Sequence, residues 1–376
     1  MPIIKNLRIK CMEKNNKRVI AIHLPQFHPF KENDEWWGKG FTEWTNVTKS
    51  KPRFKGHYQP HLPADLGFYD LRLPEIREQQ AALAKEYGIY GFCYYHYWFN
   101  GHRLMERPVN EILSSGKPDF PFMLCWANEN WTRAWDGGEK EILIKQNYSS
   151  EDDREHIKYL LKNVFSDPRY IRINNKPVFA IYRSGLFPDI EQTIKVWREE
   201  AAKEGVELYL CRFESFGQNG AKHLTVGFDA AIDFQPLGAP LNKYIKNNIR
   251  LRIFNKLKRI FIPKNYICKV SYKKYVKFLC SQDFPSYKQY PCITPMWDNS
   301  ARRKTNIFML KGSTPKLYAK WFTHIMNKFI PYSQEENFIF INAWNEWAEG
   351  NHLEPDRKWG KQYLEMTKKV IDKYSE

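Results

Sequence analysis

Two glutamates three positions apart, Glu346 and Glu349, stand just beyond the apolar run FIFI at 338–341. Trp344, Trp347, Asn342 and Asn345 surround them. Cleaving a glycosidic bond commonly takes two carboxyl groups in different protonation states. One gives a proton to the leaving oxygen; the other attacks, activates a nucleophile or takes up a proton. Indoles raise the pKa of a carboxyl by excluding water, and amides keep one ionised by donating hydrogen bonds. The stretch NEWAEG at 345–350 offers both environments. If the strand runs straight into a helical turn, the two glutamates share a face. The plainer reading is a pair of acids set against the dipole of a short helix. An apolar strand in front, with Trp and Asn on both sides, favours chemistry.

Asn128 and Glu129 form a second Asn-Glu pair at a strand end, suited to orienting a substrate or supplying an opposing carboxylate; Glu214 and Asp298 are weaker candidates of the same kind. His23, His28 and His96 lie near strand ends, but no H-x-H or H-E-x-x-H spacing occurs. Hydrogen bonding to sugar hydroxyls is therefore expected of them rather than metal binding, and neither metal nor cofactor is expected. Trp98, Trp126, Trp131 and Trp297 offer flat faces to a sugar ring, and each is equally a candidate for the core.

These residues need elements to position them. Strand patterns fall at 19–27, 88–99, 121–131, 176–183, 206–215, 230–237, 292–298 and 337–344. Amphipathic helical patterns fall at 72–87, 152–165, 190–204, 314–329 and 363–373. Strands alternating with helices predict a parallel sheet, and eight such units predict a closed (β/α)8 TIM barrel, an α/β fold with long βα-loop insertions. The strand ends carry Gln26 and His28, then Tyr95, His96 and Trp98, then Trp126, Asn128 and Glu129, then Trp297 and Asp298, and last Asn345 and Glu346. A barrel gathers such ends on one face, whereas an open sheet spreads them along a line. An insertion at 31–66, which carries Trp44, is too long for an ordinary connection and is expected to wall the cleft.

A second insertion runs over about 241–289. Between 241 and 277 it holds 12 Lys or Arg and no Asp or Glu, out of a net charge of +17. Ile245, Ile249, Ile253, Leu257 and Ile260 recur at helical spacing, with Lys243, Lys246, Arg250, Lys256 and Arg259 among them. A basic amphipathic helix of this kind suits an anionic membrane surface; the plainer reading is a basic helix packed on the barrel. No recognition motif accompanies the charge, so nucleic acid is not expected. The seven cysteines are scattered without C-x-x-C and predict reduced thiols, mostly buried. The first 18 residues lack a secretory core, and no apolar run approaches the length of a membrane span. The expected location is cytoplasmic, with the inner face of the cytoplasmic membrane as a candidate site of attachment.

The motifs together resemble the WbsX-type proteins, which share a domain with glycoside hydrolase family 99. The resemblance rests on IAIHLPQFHP, WWGKGFTEWTNV, GFCYYHYWFNGHRLMERP, MLCWANENWTRAWDG, KPVFAIYR and NAWNEWAEGNHLEPD, which cover most of 19–356. It implies one family 99-like barrel domain over 1–376 and a role in bacterial O-antigen or capsule synthesis. It also implies action on an α-linked, mannoside-like bond of an oligosaccharide or lipid-linked glycan. By motif, Glu346 becomes the base that takes the proton of the sugar 2-hydroxyl, and Glu349 the acid and then base at the leaving oxygen. Tyr95, His96, Asn128 and Glu129 are then expected to line the reacting subsite, with Gln26, His28, Trp44, Trp98, Trp126, Trp297, Asp298, Asn345 and Trp347 also contacting substrate. Two rivals remain: a transferase using a nucleotide sugar, though no D-x-D or Gly-rich phosphate loop is present, and a non-catalytic glycan-binding barrel.

Overall fold

The structure, a computed structural model, describes residues 17–133, 138–261 and 266–374. Cys11 and most of the segment read for a leader lie outside these residues. Nine parallel strands form a nearly closed barrel: β1 Arg18–His23, β2 Gly91–Phe99, β3 Phe122–Trp126, β4 Lys176–Ile181, β5 Tyr209–Glu214, β6 Ala230–Asp233, β7 Gln289–Tyr290, β8 Cys292–Ile293 and β9 Phe338–Ile341. They pair in chain order from β1 to β7, and β9 lies between β8 and β1. β7 and β8 share one position in the wall. Pro291 separates them because it has no N–H to give to the ladder, although its carbonyl still accepts from Phe340 N–H at 2.8 Å. β7 pairs with β6, β8 with β9, and the barrel closes across that seam.

The predicted helices are present as Pro74–Glu86, Ser150–Asn163, Ile190–Lys203, Pro315–Lys328 and Gln362–Asp372. Their ends follow local chemistry. Ser149 caps the second by accepting from Asp152 N–H, with Glu151, Asp152 and Asp153 in the first turn. The predicted strand ends differ: β1 stops at His23 and β3 at Trp126, so the polar residues beyond them sit on loops. Cys93, Cys125 and Cys211 are free, fully buried thiols.

The basic insertion has more structure than the expected single helix. Helices Ala239–Asn247 and Ile249–Phe261 are followed by a strand, Ile267–Ser271, and a helix, Tyr272–Leu279. The strand pairs in parallel with Ile307–Lys311, Ile267 opposite Ile307. The insertion thereby braces the loop that follows β8, which carries Arg302. Among the described residues no helix is long and apolar enough to cross a membrane.

Close packing at the barrel floor demands a glycine. A Cβ on Gly91, at the start of β2, would meet the Pro121 carbonyl oxygen at 2.6 Å and Ile171 Cδ1 at 3.0 Å. Gly91→Ala is expected to cost about 1–3 kcal/mol by overpacking, read as a lower urea midpoint with unchanged slope. An unchanged midpoint would show that the two strands do not approach so closely.

Candidate active site

β9 is buried along its whole length, and the chain leaves it into the cleft. Asn345 uses its whole amide to fix that exit. Its Oδ1 accepts from Leu24 N–H at 2.7 Å, and its Nδ2 donates to the Leu24 carbonyl at 3.0 Å and the Tyr69 hydroxyl at 3.2 Å. Asn345 and Glu346 then pair antiparallel with His352 and Asn351. Between them lies a 3₁₀ turn, Trp347–Glu349, closed by Gly350 in the left-handed conformation at φ 53°. Side chains three apart eclipse in a 3₁₀ turn, so Glu346 and Glu349 turn the same way. Gly350 is needed twice: for its positive φ, and because a Cβ would meet the Asp298 backbone oxygen at 3.0 Å.

One guanidinium holds the site. Arg302 Nη1 donates to Glu349 Oε1 at 3.0 Å, and Nη2 donates to Glu346 Oε2 at 2.9 Å and to Glu43 Oε1 at 2.6 Å. Glu43 is fully buried and also accepts from Ala348 N–H at 3.3 Å. It comes from a short helix, Glu43–Thr48, within the first insertion. Three carboxylates around one cation leave excess negative charge in a site short of water, which favours retaining a proton. Burial first, then neighbouring Glu349 and Glu43, push Glu346 up to about 8 against the pull of Arg302. Burial likewise raises Glu349.

Above the carboxylates is a cleft of about 310 Å³. Gln26, Tyr95, Tyr97, Glu129, Tyr182 and Trp297 line it, with Trp131 and Arg303 also in the wall. Burial raises the phenols of Tyr95, Tyr97 and Tyr182, which keeps them as hydroxyl donors. Glu129 is ion-paired to Arg183, and burial raises it too.

Several expected substrate residues lie elsewhere. His96 and Trp98 alternate with Tyr95 and Tyr97 along β2 and face away from the cleft. His96 Nε2 meets His156 Nε2 at 2.9 Å, and Trp98 Nε1 donates to Asp152 at 2.8 Å. Trp126 is fully buried and packs against Trp197. Asn128 spends its amide on Tyr148 and the Arg183 backbone. His28 Nδ1 donates to the Pro25 carbonyl at 3.1 Å, beside a different depression. Trp44 Nε1 donates to the Tyr69 carbonyl at 2.8 Å, and Trp347 Nε1 to Glu354 at 2.6 Å. Both indoles support the motif from beneath, as Asn345 does. Asp298 pairs with His57 at 2.6 Å, while its N–H donates to the Glu349 carbonyl at 2.6 Å. The sequence places Tyr97 at a strand end but assigns no site role to it, to Tyr182 or to Arg302. Strand alternation marks Tyr97 and Tyr182; no local signal marks Arg302.

A parallel barrel with an acid cluster beyond its strand ends belongs to the (β/α)8 enzymes, which build their sites at that face. Residues 19–367 match the family described as Glycosyltransferase WbsX, and the chain belongs to that family. The uncharacterised protein WxcX of Xanthomonas campestris pv. campestris, in two strains, is 38% identical over 355 residues, covering 94% of this chain and 49% of the relative. The chain thus spans about half the length of the curated relatives it matches. Among solved structures, a GH99 endo-α-mannosidase from Bacteroides thetaiotaomicron superposes with a TM-score of 0.57 at 15% identity, covering 95% of this chain and 97% of that one. A glycoside hydrolase-like protein gives 0.57 at 15%, covering 95% and 94%. These structural likenesses establish the barrel.

The raised Glu346 has a consequence for stability. Its folded pKa, about 8, exceeds its ordinary 4.5, so between these values the folded chain holds the proton more tightly than the unfolded one. The stability this brings is full below the ordinary glutamate range and is lost as pH rises through about 8. Glu346→Gln is therefore expected to match wild type near pH 4 and exceed it near pH 9 by on the order of 1–3 kcal/mol, measured by urea unfolding. A constant difference across that range would show that Glu346 titrates normally.

Proposed function

We propose that this chain breaks or transfers an α-linked, mannoside-like glycosidic bond during the building of a bacterial surface polysaccharide. The observation that carries the reading is the acid cluster around Arg302 at the base of an aromatic cleft. Glu346 acts as the base at the sugar 2-hydroxyl. Taking that proton frees the oxygen to attack carbon 1 and form an anhydro sugar. A carboxylate raised to about 8 suits this task, because it is a stronger base once ionised than an ordinary glutamate. Glu349, whose side chain keeps 18% exposure against 6% for Glu346, protonates the departing oxygen and then deprotonates the acceptor. Arg302 keeps both carboxyls aligned while the proton inventory changes. Tyr95, Tyr97 and Tyr182 supply hydroxyls to the sugar, and Trp297 and Trp131 supply faces. Water as acceptor gives hydrolysis; a sugar hydroxyl gives transfer.

Glu346→Gln and Glu349→Gln are expected to lower turnover of an α-mannoside oligosaccharide by about 10²–10⁴-fold. With a glycosyl fluoride, whose leaving group needs no acid, Glu349→Gln should recover its first step and Glu346→Gln should not. Wild-type rates in both variants would show that these glutamates do not carry the reaction, and a wild type that turns over no glycan would leave the barrel as a glycan-binding protein.

We also propose that the basic insertion attaches the chain to an anionic membrane, where a lipid-linked glycan would reach the cleft. Helix Ile249–Phe261 supports this with a row of exposed aliphatics, Ile249 at 66%, Ile253 at 55%, Leu257 at 48% and Ile260 at 62%. Leu251, on another face, packs on the core, so the exposed row is not the side that docks on the barrel. Apolar side chains between lysines and arginines match the headgroup boundary of an anionic leaflet. Wild type is expected to float with phosphatidylglycerol vesicles at low salt, and an Ile253→Asp/Leu257→Asp variant to stay in solution. Equal flotation of the two would end the proposal.

A further inference from the structure

Beneath the carboxylate motif, on the side away from the cleft, three groups with metal-binding chemistry converge. His61 comes from the first insertion, and His352 and Asp356 from the segment after β9. All three are buried, and one ligand atom from each lies within 4.8 Å of the other two. His61 Nδ1 is 3.0 Å from His352 Nε2, which is 3.8 Å from Asp356 Oδ2. Ligand atoms around a tetrahedral ion at zinc distances are about 3.4 Å apart, so the three need only small adjustments.

The hydrogen bonds bias these groups toward a ligand. His352 Nδ1 lies 3.0 Å from the Glu354 carbonyl and so carries its proton there. Its Nε2 then accepts from His61 Nδ1 at 3.0 Å and faces Asp356, and a cation would take the place of the shared proton. Metal-bound histidines use the same arrangement, with a carbonyl fixing the ring through its other nitrogen. Asp356 Oδ1 accepts from the N–H groups of Lys358 and Trp359, at 3.0 and 2.5 Å. Asp356 Oδ2 is buried and makes no hydrogen bond of normal geometry, although the residue is only 2% exposed. The neighbouring Tyr58 hydroxyl, also buried, faces Asp356 without a hydrogen bond of normal geometry. A buried carboxylate oxygen held only by long contacts is costly, and a cation would satisfy it together with both imidazoles.

We propose that His61, His352 and Asp356 bind a divalent first-row transition ion of the zinc type, with Tyr58 or a water at the fourth position. The ion would tie the two long loops that together build the active site. These loops already meet there: Ala64 N–H donates to the Pro355 carbonyl at 2.9 Å and Arg357 N–H to the Leu62 carbonyl at 3.0 Å. His352 stacks on Trp347 with ring centres 3.8 Å apart, so the ion would lie one side chain beneath the glutamates. Its role would be to hold them, not to touch substrate.

The test reads metal and not turnover, so it is independent of the proposed reaction. Protein stripped with a chelator and titrated with Co²⁺, then with Zn²⁺, is followed by visible absorption and by metal content after gel filtration. Wild type is expected to retain about one ion per chain, with Co²⁺ bands of tetrahedral intensity displaced by Zn²⁺. His61→Gln and Asp356→Asn should lower retention to background, while His223→Gln, at another histidine, should leave it unchanged. Folded wild type that shows no Co²⁺ band, or variants that retain the ion equally, would overturn the site. If the variants do not fold, the wild-type titration decides alone.

Discussion

One half-buried guanidinium bonded to three carboxylates organises this end of the molecule. Arg302 reaches Glu43, Glu346 and Glu349 from a loop that belongs to none of them. Each acid arrives on a different backbone context: a short helix in the first insertion, an extended residue after β9, and a 3₁₀ turn. Burying so much negative charge around one guanidinium costs solvation that the ion pairs recover only in good geometry. The cluster therefore requires the insertion at 31–66, the loop after β8 and the turn after β9 to be placed together. Burial, and then the neighbouring carboxylates, hold the pKa values of Glu346 and Glu349 up against the pull of Arg302.

The surrounding structure serves that placement. Glu354, pushed by burial to about 7, accepts from Tyr69, Gln80 and Trp347 in the layer under the motif. Asn345 ties the same layer to the end of β1. The indoles that give the motif its sequence signature, Trp44 and Trp347, lie in this foundation and not on the cleft wall. The braced strand pair of Ile267–Ser271 with Ile307–Lys311 extends the foundation to the loop bearing Arg302. The basic insertion is in this way mechanically connected to the candidate active site, although none of its described residues adds a side chain to the three-acid cluster.

Membership in the WbsX glycosyltransferase family and a barrel like that of a GH99 endo-α-mannosidase describe the same scaffold from two sides. A carboxylate pair that forms an anhydro sugar can pass the sugar to water or to another hydroxyl. The choice depends on which acceptor the cleft admits. Under the proposed reaction, transfer would follow from an acceptor glycan held close enough to exclude water, and the proposed membrane attachment would then bear on the reaction as well as on location.

The sequence alone determined the alternation of strands and helices, the five long helices near their observed ends, and the position of Glu346 and Glu349 beyond the last strand. These are properties of short windows: apolar period, caps, and the change from buried strand to polar turn. It did not determine which strand-end residues face the cleft. Tyr95 and His96 are neighbours in the chain, yet one lines the cleft and the other pairs with His156, because adjacent strand residues point to opposite faces. Nor did it reveal Arg302, which is 259 residues from Glu43, or the meeting of His61 with His352 across 291. Such contacts have no period and no spacing. They exist only because closing the barrel brings distant loops to one end, and the tertiary structure alone decides which of their charges meet.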